Sequence, residues 1–261
     1  MQTIQIKDAF QDKKAMIAFL TGGDPDLATT EKLIPAMEAA GADLIEIGIP
    51  FSDPIAEGPV IQAANERALA AGCTIDRLFD SVKRVREAGV QVPMVFLTYV
   101  NPIVKYGADR FMERCTECGI QGLIIPDLPF EEKGELADIC SAHGIDIISM
   151  IAPTSEERIR RIAKEAVGYL YVVSSLGVTG VRTSITTDID AMIRMVREVS
   201  DIPTAVGFGI ATPEQAKTMA AKSDGAIVGS AIVRIIAEHG RESAGPVADY
   251  VRSIAEAVHA L

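Results

Sequence analysis

The sequence predicts a single domain over residues 1–261 with the (β/α)8 TIM-barrel fold. Three observations support this prediction. The length is close to the roughly 250 residues typical of such barrels. Hydrophobic residues make up 48% of the chain but aromatic residues only 5%, which favours the aliphatic core of a buried parallel sheet. Finally, eight short apolar runs alternate with charged segments.

The eight apolar runs are the predicted strands. Each is nearly continuously apolar instead of alternating, which is typical of strands covered on both faces. In chain order they are AMIAFLT (15–21), DLIEIGI (43–49), PMVFLTY (93–99), GLIIPD (122–127), DIISMIA (146–152), YLYVVS (169–174), PTAVGFG (203–209) and GAIVGS (225–230).

The charged segments between the runs have helical periodicity, most clearly over 76–89, 131–144 and 155–166. Strand and helix in unbroken alternation predict a parallel sheet, and eight repeats predict its closure into a barrel. A doubly wound open sheet is the alternative. It more often has five or six strands and a glycine-rich fingerprint after the first, which this sequence lacks. The segment TIQIKDAFQ near the amino terminus is predicted to form a short helix that closes the barrel bottom.

Charge and cysteine content narrow the functional classes. The formal net charge of −11 argues against a nucleic-acid partner. With no apolar run of 18 residues, no secretory signal and four cysteines, we expect a cytoplasmic protein without disulfides or membrane spans. Cys115 and Cys118 form a CxxC, but a metal site needs a second ligand pair. We therefore interpret both as ordinary helix-face cysteines.

Glu46 is the first candidate for chemistry, because it interrupts the apolar second strand. A buried carboxylate costs free energy unless it is paired or neutralised. Pointing into the barrel, Glu46 would be a catalytic acid or base; pointing outward, it would pair with a helix Lys or Arg. Its neighbours on the same face, Leu44 and Gly48, do not decide between these orientations.

The loop after this strand, residues 50–59, holds two further acids, Asp53 and Glu57. Paired acids in different environments allow one site to donate and accept protons near neutral pH. The alternative for both residues is a solvated loop charge or a helix start.

Glycines mark the ends of the seventh and eighth predicted strands, at 205–209 and 228–230, and a glycine-bracketed loop, 176–180, follows the sixth. Glycines let backbone N–H groups approach an anion closely, and the helix predicted to start near Ser230 adds the positive end of its dipole. Barrels frequently bind phosphate at this place. The turn at 176–180 is also a candidate lid. Each glycine alone is explained by a turn, but three adjacent turns favour a phosphate site.

Several segments together carry a family resemblance. IEIGIPFSDPIAEGPVIQ, FLTGGDP, TYVNPI, PDLPFEE, SSLGVTGVR and AVGFGI with GSAIV resemble segments of the tryptophan synthase α subunit family, in order over about residues 15–235. The resemblance implies retro-aldol cleavage of indole-3-glycerol phosphate to indole and glyceraldehyde 3-phosphate by a lyase that uses no metal or organic cofactor of its own.

The resemblance also implies roles for individual residues. Glu46 matches the family's acid/base. Glu57 matches its second acid, which steadies the indole N–H, although the usual residue is Asp within ADGP. The other implied roles fall into three groups: phosphate binding by Gly180, Gly209, Gly229 and Ser230; an indole pocket of Phe19, Leu97, Tyr171 and Phe208; and loop support by Thr179, on the closing loop, and Asp127.

The family implies a partner as well, a pyridoxal-phosphate-dependent β subunit in an α2β2 heterotetramer, which receives the indole. The contact is expected at residues 50–59 and around Asn101. Three rivals stay open at this point: a free-standing lyase that needs no β subunit, a non-catalytic activator of the β subunit, and a different phosphosugar barrel. An aldolase of the last kind would need a strand-end Lys, and the eight predicted strands contain none.

Overall fold

The computed structural model describes residues 4–174, 188–207 and 209–261 and has a closed barrel of eight parallel strands. Each strand pairs with its neighbours in the sequence, and the first pairs with the last. The strands are β1 (Ala15–Thr21), β2 (Leu44–Gly48), β3 (Met94–Leu97), β4 (Gly122–Ile124), β5 (Asp146–Ile151), β6 (Leu170–Val173), β7 (Thr204–Gly207) and β8 (Gly225–Val228).

Alternate side chains of each strand enter two different cores, which explains the continuous apolar runs. In β1, Ile17 packs inside the barrel against residues of other strands such as Leu44 and Val95. Met16 and Leu20 face outward into the larger core beneath the helices. Since both faces are covered, an apolar residue is needed at nearly every strand position.

The described residues form eleven α-helices around the sheet. They are α1 (Leu27–Ala39), α2 (Pro59–Ala70), α3 (Ile75–Glu87), α4 (Val100–Tyr106), α5 (Ala108–Glu117), α6 (Gly134–Ala142), α7 (Glu156–Glu165), α8 (Ile189–Arg197), α9 (Pro213–Lys222), α10 (Ser230–His239) and α11 (Ala244–His259). Side-chain caps begin several of them: Asp26 accepts a hydrogen bond from the Thr29 N–H, and Thr212 accepts one from the Gln215 N–H.

The helix expected at the barrel bottom is present as a 3-10 helix, Ile6–Phe10. Ile6 and Ala9 are buried in the same interior core as Ile17. The Phe10 ring packs against the Tyr169 ring, with centroids 5.8 Å apart. The apolar side chains of this short helix therefore seal the amino-terminal end of the barrel.

Most strands and helices end earlier than predicted. The fourth strand stops at Ile124 instead of residue 127, because Pro126 has no N–H to donate to a ladder. The predicted helix over 131–144 is divided into a 3-10 turn, Phe130–Glu132, and α6. The extra residues at the carboxyl ends of the strands belong to loops, and these loops form the rim of the site described below.

The four cysteines all lie in the described part of the chain and are buried as free thiols. Cys115 is in α5, whereas Cys118 is its C-cap residue and not a helix-face residue. Burial raises the pKa of the Cys118 thiol to about 12. Among the residues that the structure describes, no helix has the length and apolar character required to cross a membrane.

Candidate active site

One cavity opens at the carboxyl ends of the strands, the face where barrel enzymes carry their chemistry. Its volume is about 540 Å³, counting the part open to solvent. Eight of the residues singled out in the sequence lie on its wall. They are Phe19, Glu46, Glu57, Leu97, Tyr171, Gly209, Gly229 and Ser230.

Glu46 points into the barrel and not into the helical ring. Its register partners are Phe19 on β1 and Val95 on β3, and Val95 belongs to the barrel interior. The carboxylate is 1% exposed, and its Oε1 accepts a hydrogen bond of 2.6 Å from the Tyr169 hydroxyl. The outward-facing alternative left open by the sequence is therefore wrong.

Burial raises the pKa of the Glu46 carboxyl from its ordinary value of 4.5 to about 7. The cause is desolvation, which disfavours the charged form, and the hydrogen bond from Tyr169 acts in the opposite direction. Both protonation states of Glu46 are therefore populated near neutral pH. Such a carboxyl can both donate and accept a proton.

Glu57 is the second buried acid, and α2 holds its side chain in place. Its Oε2 accepts a hydrogen bond of 2.6 Å from the side-chain amide of Asn65, which lies in α2. The Tyr99 hydroxyl also hydrogen-bonds this carboxyl, whose pKa is raised because burial outweighs both hydrogen bonds. By contrast, Asp53 is exposed and bonded to Ser52, so it is a solvated loop charge.

Asp127 lies outside the cavity and links two loops. Both of its carboxylate oxygens accept from the Val100 N–H, at 3.0 and 3.2 Å, at the start of α4. This cap fixes the chain next to Tyr99, whose hydroxyl contacts Glu57 and accepts from the Ala56 N–H at 3.3 Å. Asp127 therefore braces the loop that carries the second acid.

The turns after β7 and β8 bring glycine backbone to the wall of the same cavity. Gly209 has φ +80°, a backbone conformation that strongly favours glycine. A side chain at Gly229 would come within 3.3 Å of the Phe19 ring. Gly229 is the N-cap of α10 and Ser230 its first residue, so the helix end, whose first N–H groups have no intrahelical partners, lies on the cavity wall.

Three of the predicted site residues, Thr179, Gly180 and Phe208, lie outside the described residues. The candidate lid at 176–180 lies outside them for the same reason. Their predicted roles stay predictions, as do those of the eight residues on the cavity wall. In the part of the chain that is described, no group of three His, Cys, Asp or Glu side chains could hold a metal ion.

Several polar residues around the acids were not singled out in the sequence. Tyr169 begins an apolar run, where it resembles a core residue. Asn65 resembles an ordinary helix residue, and Tyr99 resembles an ordinary residue at the end of a strand. Asn65 is only 3% exposed. A buried amide must be hydrogen-bonded, so an Asn within the apolar stripe of α2 was the one available signal.

Comparison with known proteins identifies the family. The family model for the tryptophan synthase alpha chain matches residues 6–259. The tryptophan synthase alpha chain of Lacticaseibacillus casei is 46% identical over 256 residues, covering 98% of this chain and 96% of the relative. The chain belongs to the tryptophan synthase alpha chain family. The alpha chain of Geobacter sulfurreducens is also 46% identical, with 94% of each chain covered.

Solved structures agree with this assignment to the tryptophan synthase alpha chain family. The crystal structure of the alpha chain from Legionella pneumophila superposes with a TM-score of 0.88 at 34% identity, covering 98% of both chains. A tryptophan synthase a2b2 complex from the hyperthermophile Pyrococcus furiosus gives a TM-score of 0.85 at 34% identity, with 93% of this chain and 98% of that chain covered. The (β/α)8 fold predicted from the sequence is therefore confirmed.

Proposed function

We propose that the chain is a tryptophan synthase α subunit that cleaves indole-3-glycerol phosphate to indole and glyceraldehyde 3-phosphate. The observation that carries the proposal is the convergence of two buried carboxyls and a helix N-terminus on one cavity. Apolar residues on its wall suit the indole ring, the two acids suit proton transfer and charge stabilisation, and the helix N-terminus suits the phosphate. We also propose that residues 1–261 fold as one domain in the cytoplasm.

Glu46 is assigned both proton transfers. As a carboxylic acid it delivers a proton to C3 of the indole ring, which leaves positive charge shared with the ring nitrogen. As a carboxylate it then takes the proton from the glycerol hydroxyl next to the ring. The bond between C3 and the glycerol carbon breaks, its electron pair restores the aromatic ring, and the carbonyl of the aldehyde forms. The acid form of Glu46 is regenerated, and no metal or organic cofactor is needed.

Glu57 is assigned to the indole nitrogen. Its carboxylate accepts the ring N–H and stabilises the positive charge that develops when C3 is protonated. Since Glu is one methylene longer than the Asp expected from the family, its reach must be adjusted. The hydrogen bonds from Asn65 and Tyr99 set that reach. Phe19, Leu97 and Tyr171 supply flat apolar surface for the ring.

The substrate phosphate is assigned to Gly209, Gly229 and Ser230, and Gly180 is proposed to join them. The backbone N–H groups at the start of α10 donate to the phosphate oxygens, and the helix dipole favours the negative charge. This arrangement binds an anion without a cluster of lysine side chains, which suits a chain of net charge −11.

The phosphate assignment predicts the effect of a charge at Ser230. Ser230→Asp places a carboxylate where the phosphate binds, and we expect KM for indole-3-glycerol phosphate to rise about tenfold or more. An acid in the first turn of a helix stabilises it, so unfolding would not explain the loss. Ser230→Ala, which keeps the backbone N–H, is the matched control, with a rise of only about fivefold. An unchanged KM in Ser230→Asp would show that the phosphate does not bind at the start of α10.

The proposed partner is a β subunit that holds pyridoxal phosphate and receives the indole. Two apolar side chains on the same rim as the cavity support a contact there. Ile55, in the loop after β2, is 72% exposed, and Val104, on α4 after β3, is 63% exposed. Both lie in the segments for which the sequence analysis expected the contact, the loop at 50–59 and the stretch around Asn101.

This contact predicts that Ile55→Asp and Val104→Asp weaken β-subunit binding about tenfold each, because each buries an unpaired charge on association. The unfolding free energy of the isolated chain should change by less than about 0.5 kcal/mol, since both positions are exposed. Val167→Asp, at an exposed apolar position at the opposite end of the barrel, is the control. Equal weakening by the control would contradict the assigned surface.

Indole release tests the proposed function directly. The purified chain is incubated with indole-3-glycerol phosphate, with and without a β subunit, and indole is measured. We expect slow release by the chain alone and faster release in the complex, because partner binding orders the loops that complete the site. Fast release by the chain alone would indicate a free-standing lyase. No release in either case would indicate a non-catalytic activator.

A further inference from the structure

A second cavity lies between the 3-10 turn Phe130–Glu132 and α7 and shares no residue with the first. It opens beside the carboxyl ends of β4 and β5 and encloses about 760 Å³, counting the part open to solvent. Its wall is mostly apolar and includes Leu128, Phe130, Met150 and Ile162. None of its lining residues is assigned a role in the proposed lyase reaction.

Ser149 is the unusual residue of this cavity. It lies on the outward face of β5, between the apolar outward residues Ile147 and Ile151. Ser149 is only 8% exposed, yet its hydroxyl has no hydrogen-bond partner among the residues that the structure describes, and it lines the cavity. The comparable outward hydroxyl of Thr204 on β7 is bonded to Asp224. Since buried polar groups are normally paired, Ser149 is available to a ligand.

The cavity also carries a cation that makes no ion pair with the described residues. Of its two cations, Arg158 is held by both carboxylate oxygens of Glu131, at 2.5 and 3.0 Å. The Lys133 ammonium reaches the carbonyl oxygen of Glu165 at 3.4 Å, but within the described ranges no carboxylate comes within 4.0 Å of it. Asp146 lines a neighbouring cavity that shares Lys133 with this one. It lies beyond ion-pair distance from Lys133, although the lysine charge acts against the rise in the Asp146 pKa that burial causes. An anionic group is therefore favoured at the Lys133 end, away from Asp146.

The apolar wall determines the rest of the ligand. The Arg161 guanidinium covers the Phe130 ring, 5.2 Å from its centroid, which leaves Phe130 fixed as one side of the cavity. Ile162 and the outward-facing Ile147 offer further apolar surface. A fully hydrated inorganic anion would leave this surface exposed to water, whereas a chain or ring attached to the anion would cover it.

We propose that this cavity binds a small amphipathic carboxylate. The carboxylate pairs with Lys133 and accepts a hydrogen bond from the Ser149 hydroxyl, and the apolar body lies against Phe130, Ile147 and Ile162. In a chain of net charge −11 most of the surface repels such an anion, so binding depends on this local cation.

Octanoate is a suitable probe, tested by calorimetry on the full chain with indole and glycerol 3-phosphate present to occupy the first cavity. We expect saturable binding of one octanoate per chain and weaker binding of the neutral 1-octanol. Lys133→Gln should weaken octanoate binding about tenfold, and Ser149→Ala about fivefold. Lys83→Gln removes an exposed lysine of α3 and should leave binding unchanged.

The unfolding midpoint of Ser149→Ala distinguishes a ligand-binding role of Ser149 from a role in stabilising the fold. Because the Ser149 hydroxyl makes no hydrogen bond within the described structure, Ser149→Ala should leave the unfolding midpoint of the free chain unchanged while weakening octanoate. The proposal is overturned by binding that does not saturate, by equal binding to Lys133→Gln and the native chain, or by loss of octanoate binding when the first cavity is filled.

Discussion

Glu46→Gln is expected to lower kcat for indole release by about 10²–10⁴-fold, the range of general acid–base catalysis. The amide keeps the size of the side chain and can still hydrogen-bond Tyr169, but it cannot transfer a proton. KM should change little, because the phosphate and the ring are assigned to other residues of the cavity wall. Steady-state kinetics with the β subunit present would measure both parameters.

Glu46→Gln lowers activity but is expected to raise the stability of the chain, and the size of this gain depends on pH. The pKa of Glu46 is about 7 in the folded chain, above its ordinary 4.5, so the folded state binds the proton more tightly than the unfolded state. Stability contributed by the proton is present below about 4.5 and is lost as the pH rises to about 7. At pH 8 the unfolding free energy of the native chain is therefore lower than it would be with a neutral Glu46, by at most about 3 kcal/mol.

Glu46→Gln should consequently raise the unfolding free energy at pH 8 relative to the native chain, with little gain at pH 5. Chemical denaturation at both pH values measures the difference. An inactive variant that is more stable at high pH excludes misfolding as the reason for lost activity. If Glu46→Gln retained the native kcat, Glu46 would have no role in proton transfer.

Glu57→Gln is expected to lower kcat by about 10²–10³-fold, the loss typical when one electrostatic stabiliser of a transition state is removed. The amide is uncharged and cannot balance the positive charge on the protonated indole. Its neighbours Asn65 and Tyr99 should still hold the side chain in place, so the fold should be unaffected. Lyase rates with and without the β subunit would test this.

Glu57→Asp is the matched control, because it keeps the charge and restores the residue expected from the family. It should retain more activity than Glu57→Gln, although the shorter side chain withdraws its carboxylate from Asn65. An Asn65→Ala variant tests the hydrogen bond itself and should lower kcat while the affinity for phosphate is kept. An unchanged rate in Glu57→Gln would remove Glu57 from the mechanism.

The sequence predicts the barrel well because strand burial depends on composition. Both faces of each strand are covered, and therefore runs such as AMIAFLT can be recognised without knowledge of their neighbours. The orientation of Glu46 cannot be predicted in this way. It depends on the register with Phe19 and Val95, and the flanking Leu44 and Gly48 are compatible with either face.

The environment of each acid is also set by residues far away in the chain. Tyr169 reaches Glu46 from the sixth strand, and Tyr99 reaches Glu57 from the end of the third. Such contacts follow from closure of the barrel, which local periodicity does not describe. The start of a helix at Ser230 could be predicted from the local sequence, and the structure confirms it. The phosphate role of this turn stays a prediction, which rests on the ability of a helix N-terminus to bind anions through its own backbone.

The short helix at the amino-terminal end of the barrel has a consequence at the opposite end of the molecule. Phe10 packs on Tyr169, and Tyr169 in turn hydrogen-bonds Glu46. Shortening the chain by its first ten residues would admit water beneath Tyr169 and rehydrate the acid from below. The proton affinity of Glu46, and with it the pH at which the reaction runs best, therefore depends on a segment that never meets the substrate.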